Sequence, residues 1–523
     1  MKNIKLTYVL CALLLGFGMA YGQRVLTIAV PGDVETLDPD FSHFQMSNEV
    51  NYNIHDQWFQ YGLKLTPEGY RAYDVNTILP SAIESWEISP DGLSITLKIR
   101  EGMKFNHTGN PVTVDDFLYY FERGVHTKSG YYWNITMAGI TGWEKLSDTT
   151  FKLTFAQPSP FFFYLFRDQS QAPVDSKEMQ KHATPDDPWA TKWKARNDAG
   201  SGEFYVESWT PGVEMVLAAN KNYWAGPAYF DKVILKVVPA SATRMLLLMQ
   251  GAVDIAYNLS PTELDAIRNL PGIKVVSLPS RNQYYLGLNN QMPPFNNKLV
   301  RQALAYAVPY DAIINDVFKG RALPPRSPIP QRGQYFDGSM WPYEYNLDKA
   351  KELLRLAGYP NGFDCTLSIP AGDPVIEELA ILLQASFKKI GVNMSINVQP
   401  AAMFAEGLDK KSHQMWLRDI LWYIDDPAYV AKGFYYTGVV LNWMAYSNPE
   451  LDKIADEMMK LWRPEDKAQK AMLAKEMQRI LIDDVPCLWL AEPYYELAMR
   501  DNIEGFVYLP DHLLWYYPLY RKE

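Results

Sequence analysis

The chain has 523 residues, 48% of them hydrophobic and 21% charged, and a formal charge of -10. That length exceeds what one hydrophobic core usually supports, the composition is that of a packed protein, and an acidic balance without a long basic run excludes nucleic acid as partner. Seven histidines and three cysteines, with no HExxH or CxxC spacing, exclude a zinc centre, and no metal or cofactor is expected.

Lys2, Lys5, the apolar run Leu6 to Met19 and the small-x-small triplet Ala20-Tyr21-Gly22 read as a cleavable signal peptide over residues 1–22. The apolar run is shorter than the roughly 20 residues needed to span a bilayer. Cys11 follows Leu10 instead of a small residue, so no lipid attachment is expected and the mature chain starts at Gln23. Cleavage removes two lysines and no acid, which takes the charge from -10 to -12. Cys365 and Cys487 remain, either as a disulfide or as two buried thiols.

VLTIAV, from Val25, reads as a strand, and Asn48 to Gln60 as a helix ended by Tyr61-Gly62-Leu63. Within residues 82–124, Pro90-Asp91-Gly92 is hairpin chemistry, and Ser94 to Arg100 alternates polar and apolar residues as a half-buried strand does. Thr113, Asp115 and Asp116 then suit the positive start of a helix from Val114. Residues 168–199 are polar and proline-bearing, a surface connection. Strands follow around Pro211-Gly212 and over 231–238, a helix over 242–251, and strands at 253–255 and 273–277, the order of an α/β layer. Gln283 to Asn289 alternates and is aromatic; helices are predicted over 297–308, 348–357, 377–390 and 449–482, and Cys487 to Glu492 is a strand. Ser386 and Lys389 have serine–lysine spacing without the groups that would make them a nucleophile pair.

Several of these segments carry the motifs of one family. Trp86 before Pro90-Asp91-Gly92, Lys104-Phe105, Pro111-Val112-Thr113 with Asp115-Asp116, Asn222-Tyr223-Trp224 and Val300-Arg301-Gln302-Ala303 together resemble the family 5 extracytoplasmic solute-binding proteins, the receptors of bacterial ABC importers. Ser201, Glu203 and Phe204 depart from the Thr, Pro and Tyr usual there. The resemblance implies an α/β, two-lobed periplasmic binding protein of class II type, with an extra inserted domain and a hinge of two crossing strands. Lobe 1 would comprise 23–64, 198–283 and 492–523, the inserted domain 65–197, and lobe 2 284–491. The implied partners are a small-molecule ligand and an ABC permease in the inner membrane, and the implied state is a monomer in the periplasm without enzymatic activity.

Ligand contacts are expected where the lobes meet. Crossings are placed near Gln283 to Asn289 and Cys487 to Glu492, and because side chains alternate, Tyr284 and Tyr285 face opposite ways and one of them lines the cleft. Peptide-binding members end a cleft segment in Asp-x-x-Asp-Pro, the first Asp meeting the peptide ammonium; here Asp426-Pro427 matches but Tyr423 occupies the earlier position. Asp419 or Asp425 would then substitute, or Trp422 and Tyr423 would stack on a sugar, which makes an oligosaccharide receptor the alternative. Asn442, Trp443, Asn289, Arg418, Phe44, Gln45 and Trp58 complete the candidate contacts. A secreted hydrolase is the rival of a different class; Asp425 and Asp426 are its paired carboxylates, yet neighbours on an extended segment point apart. A periplasmic chaperone would bind unfolded chains broadly instead of at one saturable site.

Overall fold

A computed structural model describes residues 23–42, 44–167, 173–422 and 424–522. The expected signal peptide lies outside them. Val25–Val30 is central to one half of the main sheet, parallel to Lys232–Val237 on one side and to Ile255–Ala256 on the other. Antiparallel Glu214–Ala219 and Phe204–Thr210 extend this half outward. In the other half Phe363–Pro370 lies parallel to Val392–Gln399 and to Met415–Leu421, and the latter pairs antiparallel with Asn282–Leu288.

The halves meet on one long strand, Cys487–Arg500. Residues from Cys487 to Ala491 pair with Asn282–Leu288, and those from Tyr494 to Arg500 pair with Ile273–Pro279. Two adjacent runs of backbone therefore pass from lobe to lobe, 273–288 outward and 487–500 back. Each lobe has its own core: Leu26, Ile28, Leu217 and Leu235 in the first, and Leu286, Leu304, Leu367 and Leu488 in the second. A four-stranded sheet of Ile83–Ile88, Ser94–Ile99, Thr150–Phe155 and Ile140–Lys145 packs beside the first lobe. Its core around Phe117, Phe121 and Phe151 is continuous with Trp422, Tyr429 and Trp489 of the second lobe. Phe161 meets Tyr429 edge-on across that seam at 6.0 Å. The lobes are thus closed on each other.

The predicted hairpin at Pro90-Asp91-Gly92 forms, with Gly92 at φ +72°. The helix Val114–Thr127 starts where its cap residues require it: Asp116 accepts the Thr113 N–H at 2.8 Å, one of the amides a helix start leaves unpaired. The expected helix over 48–60 is corrected to a helix Gln45–Ile54 followed by a strand Phe59–Leu65. Neighbours end that helix, because the Ile54 carbonyl accepts from Gly202 N, and the Gln57 and Trp58 carbonyls accept from Ala82 and Ile83. Gly202 must lack a side chain here, since a Cβ would stand 2.6 Å from His55 N. Gly202→Ala is expected to lower stability by about 1–3 kcal/mol, the usual penalty of overpacking, measured as a shift in the denaturant midpoint; an unchanged midpoint would refute the close approach.

The polar segment expected to be a surface connection is also corrected in its described part, 173–199. Asp175 and Lys194 are fully buried, and the Lys194 ammonium donates to the Leu37 carbonyl. Burial lowers the Lys194 pKa to about 8. The helical stretch over 449–482 is two helices, Pro449–Met459 and Lys467–Asp484, interrupted at Pro464, whose ring cannot continue a helix interior. Cys365 and Cys487 are both free and buried, and burial pushes each thiol up to about 12.

Candidate functional site

The site is built where the crossing strands pass between the lobes. Alternation along Asn282–Leu288 sends Tyr284 toward Phe318, with ring centroids 5.4 Å apart, and Tyr285 to the opposite face. Tyr285 there joins Ile420, Trp422, Phe434, Tyr435, Leu441, Met444 and Trp489 around a narrow apolar pocket. Trp422 and Phe434 meet edge-on at 4.6 Å, and the space left between the rings is ≈ 10 Å³, about one water.

One polar chain runs beneath these rings. Trp422 Nε1 donates to Gln283 Oε1 at 2.8 Å, and Gln283 Nε2 donates to the Ser327 carbonyl at 3.2 Å and to Glu492 at 3.3 Å. Glu492, on the returning strand, also accepts the Gln331 N–H at 2.9 Å. It is 1% exposed, and burial raises its carboxyl pKa to about 8, because a charge there would be stripped of water. Its neutral form prevails at pH 7.

Two ion pairs flank the chain. Arg281, between the strands Ile273–Pro279 and Asn282–Leu288, is ion-paired with Asp425 at 3.1 Å, and Asp425 accepts the Gln334 N–H at 2.7 Å. Asp426 accepts from Lys470 and from the Ala428 N–H, capping the turn Pro427–Val430. The adjacent carboxylates are thus directed at different cations.

A profile of bacterial extracellular solute-binding proteins, family 5 Middle, matches residues 77–441. The chain belongs to this family. It is 28% identical over 501 residues, 94% of its length and 93% of the relative's, to the probable D,D-dipeptide-binding periplasmic protein DdpA of Escherichia coli K12. It is 27% identical over 464 residues to the heme-binding protein A of Haemophilus influenzae, covering 83% of this chain and 82% of that protein. Among solved structures, the ABC transporter-associated periplasmic binding protein DppA of Helicobacter pylori, in complex with the peptide STSA, superposes with a TM-score of 0.84 at 26% identity over 96% of this chain and 99% of that one. Family 5 binding proteins are two-lobed, as this chain is, and the family and these relatives are binding proteins, not enzymes. Among the described residues, no helix is long and apolar enough to cross a membrane.

Within this family 5 protein, the predicted site residues fall into three groups. Tyr285, Trp422 and Asp425 come together as described. Tyr284 and Asp419 pair across adjacent strands on the sheet's other face, where Asp419 accepts from Asn282 Nδ2 at 3.0 Å. Arg418, paired with Tyr285 across the same two strands, lies on the pocket's face of the sheet, 4.5 Å from the ring of Trp443. The remainder are placed elsewhere or already engaged. Trp58 is fully buried among Phe117, Phe121, Phe151 and Phe166. The Asn289 amide donates to the Lys411 carbonyl, and the Asn442 amide donates to the Tyr436 and Tyr446 carbonyls, so both amides hold loops. Phe44 is exposed, and Gln45 donates to the His512 carbonyl. Tyr423 lies outside the described residues. Ser386 donates to the Ala307 carbonyl at 2.7 Å, a structural use of its hydroxyl.

Sequence reasoning missed Arg281, Gln283, Phe434, Trp489 and Glu492 as members of this cluster. One signal was available for Arg281 and Glu492: each is an ionisable residue in or beside an apolar, aromatic crossing segment, where a charge is costly without a partner.

Proposed function

We propose that this protein captures an oligopeptide, or a solute of similar size, between its lobes and hands it unchanged to an ABC permease. The observation that carries this reading is the pair of crossing strands, 273–288 and 487–500, which joins two separately cored lobes beside a ring-lined pocket. A hinge of two adjacent strands lets the lobes swing, and closure expels water around the ligand's polar groups. The relatives' names support a peptide, and the edge-on packing of Trp422 on Phe434 favours an apolar side chain over a sugar stacked on an open ring face.

The same reading places the protein in the periplasm as a monomer, exported through residues 1–22 and released without lipid. It takes lobe 2 as 284–491 and lobe 1 as 23–64, 198–283 and 492–523. The inserted domain is taken as 65–197, and the hairpin of Phe59–Leu65 and Arg71–Pro80, which also pairs with Val507–Tyr508, ties its start to lobe 1.

Titration calorimetry with mixed di- to tetrapeptides tests the function. Saturable one-site binding is expected, accompanied by a more compact scattering profile. Turnover of the peptide, or a profile indifferent to every peptide and oligosaccharide offered, would sink the reading.

A further inference from the structure

We infer that Trp462 and Arg463, on the second lobe, clasp the Pro90-Asp91-Gly92 hairpin of the inserted sheet when the lobes close, and that this clasp sets how long a captured ligand is held. This rests on the cleft reading above and adds two positioning residues, outside the ring pocket, that govern release.

The clasp has two stiff halves. Asp91 accepts the Ser89 hydroxyl at 2.6 Å and the Leu93 N–H at 3.0 Å, and the Gly92 N–H donates to the Ser89 carbonyl at 2.8 Å, so the hairpin turn keeps one shape. On the second lobe, Trp462 and Arg463 lie in the link between the helices Pro449–Met459 and Lys467–Asp484. That link is pinned on both sides of Trp462: the Leu461 carbonyl accepts from the buried Lys470 at 3.2 Å, and Asp466 accepts the Arg463 N–H at 3.0 Å. Lys470 also pairs with Asp426, so the link is tied to the segment that carries Trp422.

The halves meet at the turn. Gly92 has φ +72°, and a Cβ there would stand 2.5 Å from Cζ2 of Trp462, so the indole edge lies on the bare backbone of the hairpin. Beside it Arg463 donates to the Pro90 carbonyl at 3.2 Å; its neighbours Glu465, at 4.0 Å, and the Trp462 ring, at 5.2 Å, belong to its own loop. Neither Trp462 nor Arg463 lines the ring pocket or lies on a crossing strand. Because the contact joins different lobes, swinging them apart breaks it, and it stabilises the closed form alone. A further contact across the lobes, Arg332 with Glu68 at 2.9 Å, is between side chains 41% and 26% exposed, where an ion pair contributes little. An enclosed ligand leaves only when the lobes open. The clasp therefore slows release and leaves capture, which begins from the open form, unchanged.

The test times release. Full-length mature protein is loaded with a degenerate tripeptide library and freed of unbound peptide by gel filtration, and the tripeptides that then leave it are followed by mass spectrometry. Trp462→Ala should release them about 5- to 30-fold faster than wild type, the effect of removing one anchoring tryptophan from an interface, with an association rate by stopped flow within about 2-fold of wild type. Trp462→Phe should recover part of the difference, and Arg463→Ala should speed release by about 2- to 5-fold. Gly92→Ala displaces the ring from the other lobe and should also speed release, while Trp462→Ala in that background should add little. Release from Trp462→Ala as slow as from wild type overturns the inference, and so do effects of Gly92→Ala and Trp462→Ala that simply multiply; in either case, tripeptides retained by wild type leave the cleft reading intact. If wild type retains no tripeptide, the inference and the peptide reading fall together.

Discussion

Replacing Arg123 with methionine is expected to lower the stability of the first lobe by about 3–5 kcal/mol, the usual loss when one member of a buried ion cluster is removed. Arg123 is fully buried on the helix Val114–Thr127 and holds Asp38 with both guanidinium ends, while Asp40 lies 3.4 Å from the same group. Asp40 in turn accepts the Tyr131 N–H at 2.8 Å and bonds Ser129, so one arginine ties the turn after the first strand to two helices. Methionine would leave two carboxylates sealed from water, with only the more distant charge of Lys194 acting on Asp38. Burial already raises the Asp40 pKa against the pull of Arg123, and without Arg123 the carboxyl would rise further. The loss in Arg123→Met should therefore shrink as pH falls and the acids take up protons. Guanidinium unfolding followed by tryptophan fluorescence at pH 7 and pH 4 measures both effects. A midpoint within experimental error of wild type at pH 7 would show that the cluster contributes nothing net.

The second large effect is expected at the returning strand. Glu492→Gln should raise stability at pH 8 by about 2–4 kcal/mol and change little near pH 4. The sign follows from proton binding. An unfolded glutamate titrates near its ordinary 4.5, whereas burial raises folded Glu492 to about 8. Between those values the folded chain holds a proton that the unfolded chain has released. The stability tied to this group is complete below the unfolded pKa and is lost as pH rises through the folded one. Glu203, raised to about 8, Glu49, to about 7, and Asp56, to about 6, are likewise buried and add to the same slope. Glutamine preserves the shape and can still accept the Gln331 N–H, but its NH2 then faces Gln283 Nε2, also a donor, so the loss of that one hydrogen bond offsets part of the gain at pH 8. Stability curves of the two proteins that run parallel from pH 4 to pH 8 would refute a neutral buried carboxyl.

Local chemistry made part of the fold legible. Thr113 and Asp116 announce a helix start, Pro90-Asp91-Gly92 a hairpin, and the alternation from Gln283 onward a crossing strand, because in each case the deciding interactions lie within a few residues. The helix read over 48–60 failed for the opposite reason: Gly202, Ala82 and Ile83, distant in sequence, claim the carbonyls of Ile54, Gln57 and Trp58. Lys194 looked solvated because its neighbours are polar, yet a single carbonyl at Leu37 accepts it inside the protein. In the cleft, the rings of Tyr285 and Trp422 could be named from pattern, whereas Asn289 and Asn442 have the same polarity whether they hold a loop or a ligand. Arg281 sits between two strands without a motif of its own, and its ion pair appears only once Asp425 is seen beside it.

The strand Cys487–Arg500 also governs when this protein can become itself. It is the strand on which both halves of the main sheet meet, and it cannot be placed until all but the last few dozen residues have been synthesised. Until then the strand Asn282–Leu288 has a bare edge in one half and Ile273–Pro279 in the other. Such late, long-range closure is slow, so both halves of the sheet stay open at this position until their shared strand arrives.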